Sequence, residues 1–120
     1  MREMHRCARL ADKDFIECVN SIISLYESLK DLEVKGGEYD VFRAYASDLN
    51  DELARLPYTD TILNLPQKAR EFIKRLCENA IDWIELVLLL NIKDVKFAST
   101  LIRSKLRELV TILRLLSKGG

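Results

Sequence analysis

Glycine and proline are scarce in this chain of 120 residues: four glycines, all in Gly36-Gly37 and Gly119-Gly120, and two prolines, Pro57 and Pro66. Their absence elsewhere excludes frequent turns and leaves long stretches rich in Leu, Ala, Glu, Lys and Arg, which favour helix. Histidine occurs once, as His5. That excludes a histidine-built metal site, because His5 and Cys7 are two residues apart and point in different directions on a helix. Arg2 and His5, one turn apart, are only a thin imitation of a helical ribonuclease pair. Cysteine is odd in number and widely spaced, at Cys7, Cys18 and Cys77. With no CxxC pair, the pattern excludes a disulfide scaffold or a zinc site and suits free thiols in a reducing cytoplasm.

Long hydrophobic runs are also missing. The greasiest segment, Ile84 to Leu90, is too short and too interrupted by Asp82 and Glu85 to span a bilayer, so no membrane association is expected. Arg2, Glu3, His5, Arg6 and Arg9 stand where a signal peptide would need an apolar core, which makes a cytoplasmic protein the expectation. There is no Gly-rich phosphate loop and no serine in a nucleophile elbow, so neither a catalytic residue nor a cofactor site is assigned. A single Gln and 32% charged residues lean toward a thermophile's composition.

What is present is a helical pattern and a split charge. Met4, Ala8, Ala11, Phe15, Cys18, Ile22, Leu25, Leu29 and Leu32 step by fours and threes, which predicts a long first helix ending at Gly36-Gly37. It spans roughly 48 Å if continuous from residue 3, or breaks where Asp12 caps a helix whose interior begins at Phe15. Phe42, Tyr45, Leu49, Leu53 and Leu56 predict a second helix from Tyr39, stopped by Pro57. The segment 58–65 reads as a loop with one short turn started by Asp60. Pro66 suits the first position of a third helix, which runs to about Leu90 through Ala69, Ile73, Leu76, Ala80, Ile84 and Val87. Asn91 tolerates a left-handed cap and Asp94 can begin the fourth. Its stripe is Val95, Ala98, Ile102, Leu106, Leu109, Leu113 and Leu116. The expectation is one all-α domain over 1–120, a bundle of four helices or of five if the first breaks.

The first helix outruns the second, and the third ends apolar nearly all round. Both surpluses point to a shared burial in a homo-oligomer or on a protein partner, with Phe15, Ile22, Leu25, Leu29, Leu32, Leu86, Leu89 and Leu90 as the candidate face.

The net charge is zero, yet residues 12–60 carry −7 and residues 93–120 carry +5. A block-wise split of this kind serves partners or subunit contacts more than the fold. On the C-terminal helix Thr100, Arg103, Arg107, Thr111, Arg114 and Lys118 step by threes and fours opposite the apolar face, a basic ridge about 27 Å long. Because it lies opposite that face, charge reversal at Arg103, Arg107 and Arg114 is expected to spare the core. The ridge suits either a phosphate backbone or the acidic segment 12–60, within the monomer or across a dimer. Glu78, Asp82 and Glu85 share one helical face, and Asp48, Asp51 and Glu52 cluster on another. Their convergence would allow a Mg²⁺-dependent hydrolase, though Arg75 one turn before Glu78 also suits a solvated face with helical ion pairs. The leading expectation is a non-enzymatic assembly subunit, placed in a nucleic-acid-handling complex. Direct DNA or RNA binding by the ridge is the alternative.

Overall fold

The computed structural model describes residues 12–119, and the chain breaks into a bundle where its own capping residues dictate. Asp12 stands in extended backbone (φ −72°, ψ 159°) and its Oδ1 accepts the Phe15 N–H at 2.8 Å, so α1 begins at Lys13 (Lys13–Lys35). The break at Asp12 is therefore the form adopted; Met4, Ala8 and Ala11 lie outside the described residues. Asp12 also ties the start of α1 to the short helical turn at Thr61. Its Oδ2 accepts the Thr61 N–H and Oγ1–H, each at 2.6 Å, and its own N–H donates to Thr61 Oγ1 at 3.0 Å. Gly36 ends α1 at φ 77°, a backbone setting that side chains disfavour, while its N–H reaches the Leu32 carbonyl at 2.8 Å.

The remaining elements are α2 (Tyr39–Arg55), a 3-10 turn (Leu56–Tyr58), the one-turn α3 (Asp60–Leu63), α4 (Gln67–Leu89) and α5 (Val95–Gly119). α2 ends just ahead of Pro57, as expected, and the chain continues through Pro57 as the 3-10 turn. Pro66 proves to be the residue before α4, at ψ 149°, and not its first helical position. Asn91 takes the left-handed cap at φ 52°, and Asp94 Oδ1 accepts the Phe97 N–H at 3.0 Å to open α5.

Short connections make sequence neighbours antiparallel. α1 packs on α2 and α5, and α4 packs on the same two, so α1 and α4 face each other diagonally across one core. Phe15, Ile22 and Leu29 meet Phe42, Leu49 and Leu53 there, with Ile84 from α4 and Ile102, Leu106 and Leu109 from α5, all at most 1% exposed. Leu56 and Ile62 close the end that holds Asp12. No described helix is long and apolar enough to cross a membrane.

Asp12→Ala is expected to cost about 2 kcal/mol, the loss of a cap plus two donors on Thr61 left without their acceptor. Burial raises the Asp12 pKa, but the hydrogen bonds from Thr61 and Phe15 outweigh it and hold the carboxyl below its ordinary 3.8. A lowered folded-state pKa stabilises fully above the ordinary value and is lost as pH falls through the lowered one. Urea titrations should therefore show the wild-type advantage over Asp12→Ala intact at neutral pH and shrinking below about pH 4.

Candidate functional site on the C-terminal helices

α5 turns its apolar stripe to the core, and its two flanks meet different neighbours. The flank toward α1 carries part of the basic ridge. Arg103 Nη1 donates to Glu33 Oε1 at 2.6 Å and Nε donates to the Tyr26 carbonyl at 3.1 Å, with the guanidinium 4.2 Å over the Tyr26 ring. Thr100 Oγ1 donates to Glu33 Oε2 at 2.8 Å, and Arg114 Nη2 donates to Glu27 Oε2 at 3.1 Å. The Thr100 hydrogen bond, with the bond and charge of Arg103 and the charge of Arg107, overcomes desolvation and lowers the Glu33 pKa. The two ion pairs are unequal. Arg114 and Glu27 are about half exposed, so their pair contributes roughly 0–1 kcal/mol. Arg103 is 18% exposed, bonded twice and stacked, which makes about 2 kcal/mol the fitting magnitude.

This corrects the ridge as read from spacing. Arg103 does not lie opposite the core; it sits on the seam between α1 and α5, and reversing its charge will not spare the fold. Lys93 lies 4.1 Å from the Tyr39 ring centroid and Lys105 4.4 Å from that of Trp83. The Thr111 hydroxyl donates to the Arg107 carbonyl of its own helix at 3.0 Å. Among the described residues, Lys96, Arg107 and Lys118 are the cations of α5 with neither a carboxylate nor a ring against them.

The candidate oligomer face divides in two. Phe15, Ile22, Leu29 and Leu32 are buried inside the monomer and Leu25 is half-buried, because α5 runs the length of α1 and α2 covers its other side. That part of the face is spent on the subunit's own core. Leu86, Leu89 and Leu90 stay 43%, 79% and 62% exposed. They have company that the sequence reading missed. Phe72 and Phe97 are about half exposed and Leu115 is 65% exposed. The Lys105–Trp83 contact fixes the antiparallel register, so Leu90 and Phe97 fall at one end of the α4–α5 seam and Phe72 and Leu115 at the other. Half-buried Leu76, Leu101 and Ile112 lie between. The signal was available: residues 72, 76, 79, 83, 86 and 90 repeat the four-three spacing of a second stripe, one flank away from the core stripe.

The carboxylates do not converge. Asp48, Asp51 and Glu52 line a groove of about 450 Å³ on the α1 side of α2, together with Asn20, Ser21 and Ser24. Glu52 Oε1 is held there by Arg55 Nη2 at 2.8 Å. Glu78, Asp82 and Glu85 sit exposed on α4, across the bundle from that groove. No three His, Cys, Asp or Glu side chains among the described residues are placed to share a metal ion. Arg2, His5 and Cys7 lie outside the described residues.

The two described thiols are buried and poor nucleophiles. Cys18 donates to the Glu52 carbonyl at 3.3 Å, and burial pushes its pKa to about 12; burial, with Cys18 nearby, does the same to Cys77. Both should resist alkylation about a thousandfold more than a thiol of ordinary pKa 9.0. Peptide mapping after a timed iodoacetamide pulse checks this: label at either residue under native conditions, at a rate near that of the urea-unfolded chain, would contradict the burial.

Compared with known proteins, the chain matches no family model, no curated protein and no solved structure.

Proposed function

We propose that this chain is a non-enzymatic helical assembly subunit that docks through the outer face of α4 and α5. The observation that carries the reading is the clustering of Phe72, Leu86, Leu89, Leu90, Phe97 and Leu115 on that one face, more than half of the large hydrophobic side chains exposed among the described residues. Exposed apolar patches of this extent mark protein contacts. The basic ridge supports a different role, as a strut between α5 and α1. With Arg103 and Arg114 paired to Glu33 and Glu27 and Lys105 set over Trp83 on the opposite flank, the cations of the ridge side of α5 without such a partner among the described residues are Lys96, Arg107 and Lys118. Three phosphate contacts give a salt slope of only about 3, against the 6–10 contacts of a protein that grips a duplex well. Direct DNA or RNA binding, and a place in a nucleic-acid-handling complex, therefore rank below assembly.

Fluorescence of an apolar dye such as ANS at low chain concentration tests the docking face. The wild type should enhance the dye, and Leu86→Glu/Leu90→Glu/Phe97→Glu should abolish the enhancement while keeping its helical circular dichroism. An unenhanced wild type would remove the docking face. A mobility-shift titration with duplex and single-stranded probes addresses the alternative: a salt slope of about 6 or more would favour nucleic acid.

A further inference from the structure

We infer that the occupant of the α4–α5 face is a second copy of this chain, related by a two-fold axis that lies in the interface and crosses the helices at right angles. The inference rests on the docking reading above and names its partner. Such an axis sets each residue against the one equally far beyond the point where the axis crosses its helix, so a self-complementary face must read the same from both ends. This face does. The axis crosses α4 at residue 81, the centre of the stripe that runs from Phe72 to Leu90: Phe72 meets Leu90 of the second copy, Leu76 meets its Leu86, and polar Asn79 meets its Trp83. On α5 the midpoint lies between residues 106 and 107. Phe97 meets Leu115 of the second copy within one residue, and Leu101 meets its Ile112.

The charges obey the same symmetry. Lys105 and Glu108 straddle the α5 midpoint, so the axis brings each copy's Lys105 to the other's Glu108, twice. On α5 the centre thus carries one positive and one negative group, and on α4 exposed Arg75 and Asp82 also balance, which suits a second copy and not a strongly charged partner. The exposed parts of Phe72, Leu86, Leu90, Phe97 and Leu115 amount to about 500 Å². With the half-buried residues and the central polar pairs, this approaches the roughly 800 Å² per partner of a standard interface. The other long seam with exposed flanks, α1–α5, is crossed by the Arg103–Glu33 and Arg114–Glu27 ion pairs and offers no comparable apolar band.

Sedimentation equilibrium tests the proposal. The wild type should run at twice the 13.9 kDa chain mass. Leu90→Glu/Phe97→Glu should run at the single-chain mass with unchanged helicity. Lys105→Glu and Glu108→Lys should each raise the dimer dissociation constant at least tenfold, and the double reversal should return it to within a few-fold of wild type. A wild type that stays monomeric at its highest soluble concentration overturns the second copy. If that monomer still enhances ANS, the docking face stands with another occupant; if it does not, both readings fall. A dimer that survives Leu90→Glu/Phe97→Glu, or single reversals without effect, also overturns the proposal.

Discussion

Leu29→Glu is expected to abolish the folded state, not to release a folded subunit. Leu29 sits in the C-terminal third of α1 at 0% exposure, within the cluster that joins α1 to α2 and α5. Removing a buried leucine costs about 2–5 kcal/mol. Burying a carboxyl with no partner adds a desolvation penalty of at least several kcal/mol, even if the group takes up a proton. Together these match the whole stability of a small domain, about 5–15 kcal/mol. The matched control is Leu89→Glu, at a position 79% exposed, which in dilute solution, with the chains apart, should alter stability by no more than about 0.5 kcal/mol. Far-UV circular dichroism separates them: the first chain should lack a cooperative urea transition and the second should keep it. A folded, monomeric Leu29→Glu chain would mean that α1 belongs to an oligomer seam after all.

Arg103→Glu should carry the next largest effect, a loss of about 2–4 kcal/mol. The change deletes the bonds to Glu33 and the Tyr26 carbonyl and the stack on the Tyr26 ring, then sets a second carboxylate beside Glu33. Arg107→Glu, one turn further on and exposed, should cost about 0.5 kcal/mol or less. Adding Glu33→Arg to Arg103→Glu should recover part of the loss, a coupling that urea unfolding of the four chains measures as a double-mutant cycle. The pH dependence has a definite sign. Glu33 has a lowered folded-state pKa, so the stability it adds is complete above its ordinary value of 4.5 and is lost as pH falls through the lowered one. Equal unfolding midpoints for Arg103→Glu and Arg107→Glu would return the ridge to an ordinary solvated face.

Most of the architecture was legible because it is written in local chemistry. Asp12, Gly36, Asn91 and Asp94 act within a turn of themselves, and each does what its side chain or backbone freedom allows. The core stripes followed from helical spacing. Val19, Ala46, Cys77 and Val110 are buried too, yet none was singled out by its spacing. Each flanks a core position, and only the neighbouring helix decides whether that flank is wet. Arg103 illustrates the same limit. It is one residue, about 100°, from Ile102, and spacing alone does not tell which flank of α5 faces α1. The error over α1 had another source. Its stripe looked surplus beside the short α2, but a bundle closes in a ring, and the 25-residue α5 returns along α1 to cover it. The apolar band on α4 and α5 was hidden by the stronger core stripe beside it.

Hydroxyl-radical footprinting across a range of chain concentrations reads side-chain exposure at both contested faces at once. Phe15, Ile22 and Leu29 should be unreactive at every concentration, as residues of the subunit's own core. Phe72, Leu90, Phe97 and Leu115 should be reactive in dilute solution and become protected together as the concentration rises. Protection of the α1 residues that appears only at high concentration, or an α4–α5 face whose reactivity never changes, would contradict the assignment of these two faces.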